Sequence, residues 1–166
     1  MKSLLGISVI AAAALMSSAA LASNNPLYIV SNNDALNFAA IDFVGNDNSL
    51  SIEQDFNGQG GSNTVKGKIT GDQNGLIGSS FGGSLSLATG LVPGKITQSG
   101  HDNMISLQVS GNQNLFAMSQ TGSFNTLTAS MIGNNNQAAI LQMGTGNYAS
   151  FSQNGNGNML SIVQRN

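Results

Sequence analysis

The chain has 166 residues, and only 12 of them carry formal charge (five Lys/Arg and seven Asp/Glu), where soluble domains commonly use about a quarter. A net charge of −2, no Cys and a single His leave no basic surface for nucleic acid, no disulfide framework and no donor set for a zinc or iron–sulfur centre. Between Asn103 and Gln164 there is no Asp, Glu, Lys, Arg or His at all, so that stretch holds no catalytic acid or base. The residues mark no catalytic, metal or cofactor site and no small-molecule substrate. With 40% apolar residues, however, the chain can bury a core that a solvated low-complexity tail could not.

In chain order, Met1-Lys2 precedes an almost wholly apolar run from Leu4 to Met16 and then Ala20-Leu21-Ala22. A charged start, an apolar centre and an A-x-A site predict a secretory signal peptide over residues 1–22, cleaved between Ala22 and Ser23. The run is too short, and its flank too small and uncharged, for a membrane anchor. Residues 23–36 form a separate N-terminal segment. An exported chain without Cys must take its order from something other than bridges.

Residues 37–166 are a repeat domain. Its regular part is 98–166, where Gly100, Gly111, Gly122, Gly133, Gly144 and Gly155 recur every 11 residues. Asn103, Asn114, Asn125, Asn136, Asn147 and Asn158 follow each glycine by three. Two residues before the glycines stand Gln98, Val109, Gln120, Met131, Gln142 and Gln153, and Gln164 closes the series. A fixed period of this kind marks a repeat architecture. Upstream the frame holds at Asn37, Asn48 and Gln54, slips by four residues to Asn63 and Asn74, and weakens at Leu85. A seven-residue insertion containing Pro93 then precedes the regular part, and 55–97 is the irregular stretch. The frame predicts 11 strands, opening at residues 37, 48, 63, 74, 85, 103, 114, 125, 136, 147 and 158.

Within each unit the second and fourth residues after Asn are apolar, for example Ile105 and Leu107, or Phe116 and Met118. Alternate residues share one face of a strand. Each inner face therefore presents Asn, two apolar residues and Gln, while Ser and Thr dominate outside, with Leu115, Leu141 and Val163 among the exceptions. The glycines suit the positive φ of a tight turn. Two units make a 22-residue coil, and coils stacked about 4.8 Å apart bury one core between two parallel sheets. The fold expected is an all-β solenoid of strand–turn–strand coils with an amyloid-like cross-β arrangement. Stacking sets Asn on Asn and Gln on Gln, so that amide ladders satisfy buried polar groups. The ladder residues are Gln98, Asn103, Asn114, Gln120, Asn125, Asn136, Gln142, Asn147, Gln153, Asn158 and Gln164. Like charges at that spacing would repel, which explains the uncharged stretch. After Gln164 only Arg165 and Asn166 follow, so the final sheet edge is expected to stand open as a template for another chain.

Other features carry simpler readings. His101 belongs to a solvated turn, and Asp42, Asp47, Glu53, Asp55 and Asp72 are solvated charges or gatekeepers against aggregation. Gly58-Gln59-Gly60-Gly61 has no following Lys-Ser/Thr and is not a phosphate loop.

The motif Gln-x-Gly-x-x-Asn-x-Ala-x-x-x-Gln resembles the repeat of the curlins, the subunits of bacterial curli amyloid fibres. Gln142, Gly144, Asn147, Ala149, Gln153, Gly155 and Asn158 fit it at every position, and Val109 and Met131 depart from it. The resemblance implies a secreted subunit that polymerises with itself, and with a second curlin, into cell-surface fibres for adhesion and biofilm matrix. It implies export through an outer-membrane channel with accessory chaperones, directed by residues 23–36, and assembly driven by the terminal Asn and Gln residues. A minor subunit that nucleates the fibre is the nearest alternative. A monomeric adhesive or ice-binding solenoid is the alternative of another class, disfavoured because the outward positions are not a regular Thr array.

Overall fold

The structure, a computed structural model, describes residues 11–16, 24–32, 37–56, 60–83, 85 and 89–166. Period-2 alternation with Val, Ile, Phe, Ser and Thr produces strands: β1 (Ala11–Met16), β2 (Leu27–Asn32), β3 (Phe38–Val44), β4 (Leu50–Phe56), β5 (Thr64–Thr70) and β6 (Lys95–His101). The series continues with β7 (Met104–Ser110), β8 (Leu115–Ser123), β9 (Thr126–Ile132), β10 (Gln137–Thr145), β11 (Tyr148–Asn154) and β12 (Met159–Arg165). They form two six-stranded parallel sheets: sheet A in the order β1-β3-β5-β7-β9-β11, and sheet B in the order β12-β10-β8-β6-β4-β2. Successive strands alternate between the sheets, so the chain winds as the expected β-solenoid.

Register is kept through the whole stack. Ile52, Ile96, Met118, Ile140 and Ile162 stand in one row of sheet B. Across the core, Ile41, Gly67, Leu107, Ala129 and Phe151 form the facing row of sheet A. Gly67 is the one missing side chain in that row, and the Ile41 side chain leans into its place: a Cβ there would lie 2.9 Å from Ile41 Cδ1. Every inner apolar residue from Ile105 to Ala149 is buried, each large one stabilising the fold by about 1.5–3 kcal/mol relative to exposure.

The corners need their glycines. Gly111 has φ +118°, and a Cβ on it would strike the carbonyl oxygen of Gly133 in the next coil. Two residues later a second left-handed position follows, occupied by Asp102, Gln113, Phe124 and Asn135 with φ of 54–59°. The sequence pattern gave no sign of it except in the last two corners, where Gly146 and Gly157 fill it.

The irregular stretch corrects the predicted strand count. The units expected at residues 74 and 85 are one unit, split by an excursion. Ser49 N–H donates to the Asn74 carbonyl at 2.9 Å and Ser51 N–H to the Gly94 carbonyl at 2.8 Å. On the other side Gly75 and Gly94 N–H groups donate to the Asn114 and Phe116 carbonyls, each at 2.8 Å. Gly75 and Gly94 thus occupy neighbouring places in the sheet, and the chain between them leaves and returns at one point. The excursion folds over the outside of sheet B, where Phe81 and Leu85 are buried against Ala117 and Ala139, with Leu91 and Leu115 alongside. Leu85 and Thr89 are helical there, outside the repeat. Gly82 N–H donates to Gln137 Oε1 at 2.7 Å and ties the excursion two strands further along the sheet. This cover accounts for Leu115, Ala117 and Ala139 on the outer face, whereas Met104, Ile132, Met143, Met159 and Val163 stay exposed.

The sheets also begin before residue 37. β2 pairs with β4, Leu27 opposite Leu50, and β1 pairs with β3, Ala11 opposite Phe38. β1 lies within the leader read from the sequence. The remainder of that leader, the Ala22/Ser23 cleavage site and residues 33–36 fall outside the described residues.

Candidate functional site: the amide ladders and the open end

Each corner asparagine sits where the chain enters a strand, with its amide turned into the core. One row runs through Asn25, Asn48, Asn74, Asn114, Asn136 and Asn158. In it each backbone N–H donates to the Oδ1 of the preceding coil at 2.8–3.0 Å. The second row, Asn37, Asn63, Asn103, Asn125 and Asn147, repeats the contact at 2.9–3.2 Å. In the interior the Nδ2 group also reaches a glycine carbonyl of the next coil, as from Asn103 to Gly122 and from Asn114 to Gly133, both at 2.8 Å. Asn48, Asn63, Asn74, Asn114, Asn125 and Asn136 are less than 1% exposed and can be buried because these bonds use both ends of the amide.

The core glutamines form one ladder, in sheet B, and Gln113 donates to Gln73 at an exposed corner at 3.0 Å. Nε2 of Gln54, Gln98, Gln120 and Gln142 donates to Oε1 of the next glutamine, ending on Gln164, at 2.8 Å in every step. The other hydrogen of each amide crosses the core to a carbonyl of sheet A: Thr64 for Gln98, Met104 for Gln120, Thr126 for Gln142 and Tyr148 for Gln164. A buried primary amide is thereby bonded both along the stack and across it.

Gln153 is the exception. It faces the same core from sheet A, but its neighbour in register is Met131, which in turn pairs with Val109, then Ile69 and Phe43. Its Nε2 donates to the Gln137 carbonyl at 3.1 Å, while its buried Oε1 has no partner. The sequence reading placed Gln153 among the ladder residues; the structure places it alone on an apolar row.

A fourth ladder, which the spacing did not single out, runs outside the core. At the exposed corner, Asn46, Asp72, Asn112 and Asn134 each donate a backbone N–H to the side-chain Oδ1 of the next coil, ending on Asn156, at 2.7–2.8 Å. The signal was present: these residues directly follow Gly45, Gly71, Gly111, Gly133 and Gly155.

Except for Asp72, which belongs to the exposed-corner ladder, the charged residues stand outside the ladders. Glu53 and Lys95 pair at 3.1 Å with both side chains nearly half exposed. Asp102 accepts from the Gly61 N–H at 2.8 Å and meets His101 Nδ1 at 2.9 Å, so His101 is tied into a corner rather than free in solvent. The Gly61 N–H first, and His101 second, hold the Asp102 carboxyl below its ordinary value. Among the described residues no group of three His, Cys, Asp or Glu could hold a metal ion, and no helix is long and apolar enough to cross a membrane.

At the β11/β12 end the ladders stop unfinished. Asn147 Nδ2 turns back to the Met143 carbonyl at 3.0 Å and reaches Asn166 Oδ1 at 3.4 Å, and Asn158 Nδ2 turns back to the Asn154 carbonyl at 3.3 Å, in place of a glycine carbonyl one coil on. Among the described residues β11 and β12 end their sheets, each with one edge unpaired. Asn166 lies in the slot of a corner glycine, opposite Gly144, and its side chain bonds to the backbone of Thr145 at 2.9 and 2.7 Å. Neither the curated proteins nor the solved structures contain a match to the chain. Residues 133–165, which build this end, match the family model described as the curlin associated repeat, and there the chain is similar to the curlins.

Proposed function

We propose that the chain is a curlin-type structural subunit, secreted after removal of residues 1–22, that polymerises outside the cell into cross-β fibres serving adhesion and biofilm matrix. What supports this most directly is the end formed by β11 and β12. Among the described residues it offers two unpaired strand edges, and the amides of Asn147 and Asn158 reach no glycine of a next coil, whereas those of Asn48, Asn63, Asn74, Asn103, Asn114, Asn125 and Asn136 each do. An edge in register and in want of a neighbour is a template for another copy. The curlin repeat match falls on these same coils. By the same resemblance, its partners are itself, a second curlin, an outer-membrane export channel and accessory chaperones.

The purified chain from Ser23 onward, held at micromolar concentration, is expected to form thioflavin-positive fibres with a meridional reflection near about 4.8 Å. A lasting soluble monomer overturns the reading. Replacing Asn147 and Asn158 together by Ala should slow elongation, and unchanged growth removes the amides from the assembly step.

A second reading, a nucleating minor subunit, draws on the glutamine slots of sheet A being filled by Phe43, Ile69, Val109 and Met131. If it holds, a small proportion of this chain shortens the lag of a major curlin more than the major curlin's own seeds do.

A further inference from the structure

With β1 in place both sheets have six strands, but β1 lies inside the leader read from the sequence. Its removal leaves β3, β5, β7, β9 and β11 in sheet A against six strands in sheet B. We propose that in the fibre each copy of the processed chain is turned by half a turn about the fibre axis relative to the copy before it. Its β2 then adds to β11 in sheet A of that copy, and its β3 adds to β12 in sheet B. This inference rests on the fibre reading above and adds its symmetry.

The argument is one of parity. Neighbouring strands must lie about 4.8 Å apart to bond. If copies were related by translation alone, β2 would pair with β12, and β3 would lie about 9.6 Å from β11, two strand spacings away. A slot one strand wide would cross sheet A at every junction. The N–H and C=O groups of β11 and β3 would face it unpaired, each costing about 1–3 kcal/mol if kept from water. A half turn closes both sheets at once, and the strand that β1 supplies in the uncut chain is then supplied by the preceding copy.

The residues brought together fit. Asn25 takes the place of a corner asparagine 11 residues on from Asn158, in the frame of the repeat. Asn25 falls over Asn147 and Asn37 over Asn158, and their N–H groups meet the two Oδ1 acceptors as in every interior coil. Leu27 and Ile29 continue the row of Ala149 and Phe151; Ala39 and Ile41 continue that of Leu160 and Ile162. Ser31 falls over Gln153 and offers its hydroxyl oxygen to Nε2, while Phe43 covers Gln164, whose Nε2 keeps the Tyr148 carbonyl. The excursion on the outside of sheet B then alternates between the two sides of the fibre, one copy every roughly 26 Å.

The absence of native Cys allows a direct test. Tyr28, Ser150 and Ser161 all point outward and are exposed. Strands about 4.8 Å apart place paired Cα atoms within the range a disulfide spans. The processed chain carrying Tyr28→Cys with Ser150→Cys, assembled reduced and then oxidised, should give a ladder of disulfide-linked multimers after depolymerisation. Tyr28→Cys with Ser161→Cys should stay monomeric. Fibres in which the Ser161→Cys pair links, in which both pairs link, or in which neither does overturn the half turn. If the unaltered chain forms no fibres, the fibre reading itself falls. Electron cryo-microscopy of unaltered fibres gives an independent readout: density for the excursion alternating sides supports the proposal, and density on one side only overturns it.

Discussion

Sheet B and sheet A solve the same problem with different chemistry. Sheet B carries an unbroken amide chain from Gln54 to Gln164, whereas the corresponding row of sheet A is Phe43, Ile69, Val109 and Met131, with Gln153 at its end. A ladder stabilises only when continuous, because an amide between two amides has both ends bonded and an amide on a methionine does not. A sequence period of 11 residues therefore conceals a chemical period of 22. One sheet locks the stack with directional bonds, and the other fills space.

Five experiments test that contrast, in order of falling effect. The corners should show no contrast at all. Gly111→Ala, just after a strand of sheet A, and Gly122→Ala, near the end of a strand of sheet B, each drive a Cβ into the next coil's carbonyl at positive φ. Each should cost about 3 kcal/mol or more, and chemical denaturation of the monomer should find the two alike. Between the sheets the contrast should be sharp. Gln120→Leu leaves Gln98 Nε2 without its acceptor, and Gln142 Oε1 and the Met104 carbonyl without their donor, and should destabilise by about 2–4 kcal/mol in the same assay.

Removing the cover from sheet B tests whether its outer face depends on the excursion. Phe81→Ala should cost about 2 kcal/mol and raise hydrogen exchange at Ala117 and Ala139, with sheet A unchanged. In sheet A, Gln153→Met removes an orphaned acceptor and extends the apolar row. Stability should stay the same or rise by about 1 kcal/mol, and a clear loss would mean that Oε1 has a partner. The smallest effect is that of acid at the corner joining β6 to β7. Because the folded state depresses the Asp102 carboxyl, its contribution is present above the ordinary carboxylate value and disappears as pH falls through the depressed one. Asp102→Asn should flatten that part of the stability profile, measured at low salt.

Much of the ladder was legible in the residues. Asn and Gln in fixed register have one geometry in which they meet, and alternation around them decides which face turns inward, so Asn103, Asn125 and Gln142 lie where the spacing put them. Gln153 was misplaced because an 11-residue frame does not distinguish the sheets; only the pairing of β11 with β9 sets it on Met131. The exposed ladder through Asn112 and Asn134 was missed because corner residues after glycine have an ordinary solvated explanation. Leu85 was assigned a strand because one apolar residue in frame resembles another, and nothing local distinguishes a core position from one packed on the outside of the sheet.

The order of residues dictates the coil: its period, its inward face, its glycine corners and the exclusion of charge from the core rows. These follow from interactions within a unit and from the requirement that each residue tolerate its counterpart one coil away. The tertiary structure decided which units exist and what lies outside them. It joined Asn74 to β6 across the excursion, laid Phe81 and Leu85 over Ala117 and Ala139, and divided the glutamines between one complete ladder and one isolated residue. Those outcomes depend on contacts between residues tens of positions apart, and a local period carries no record of them.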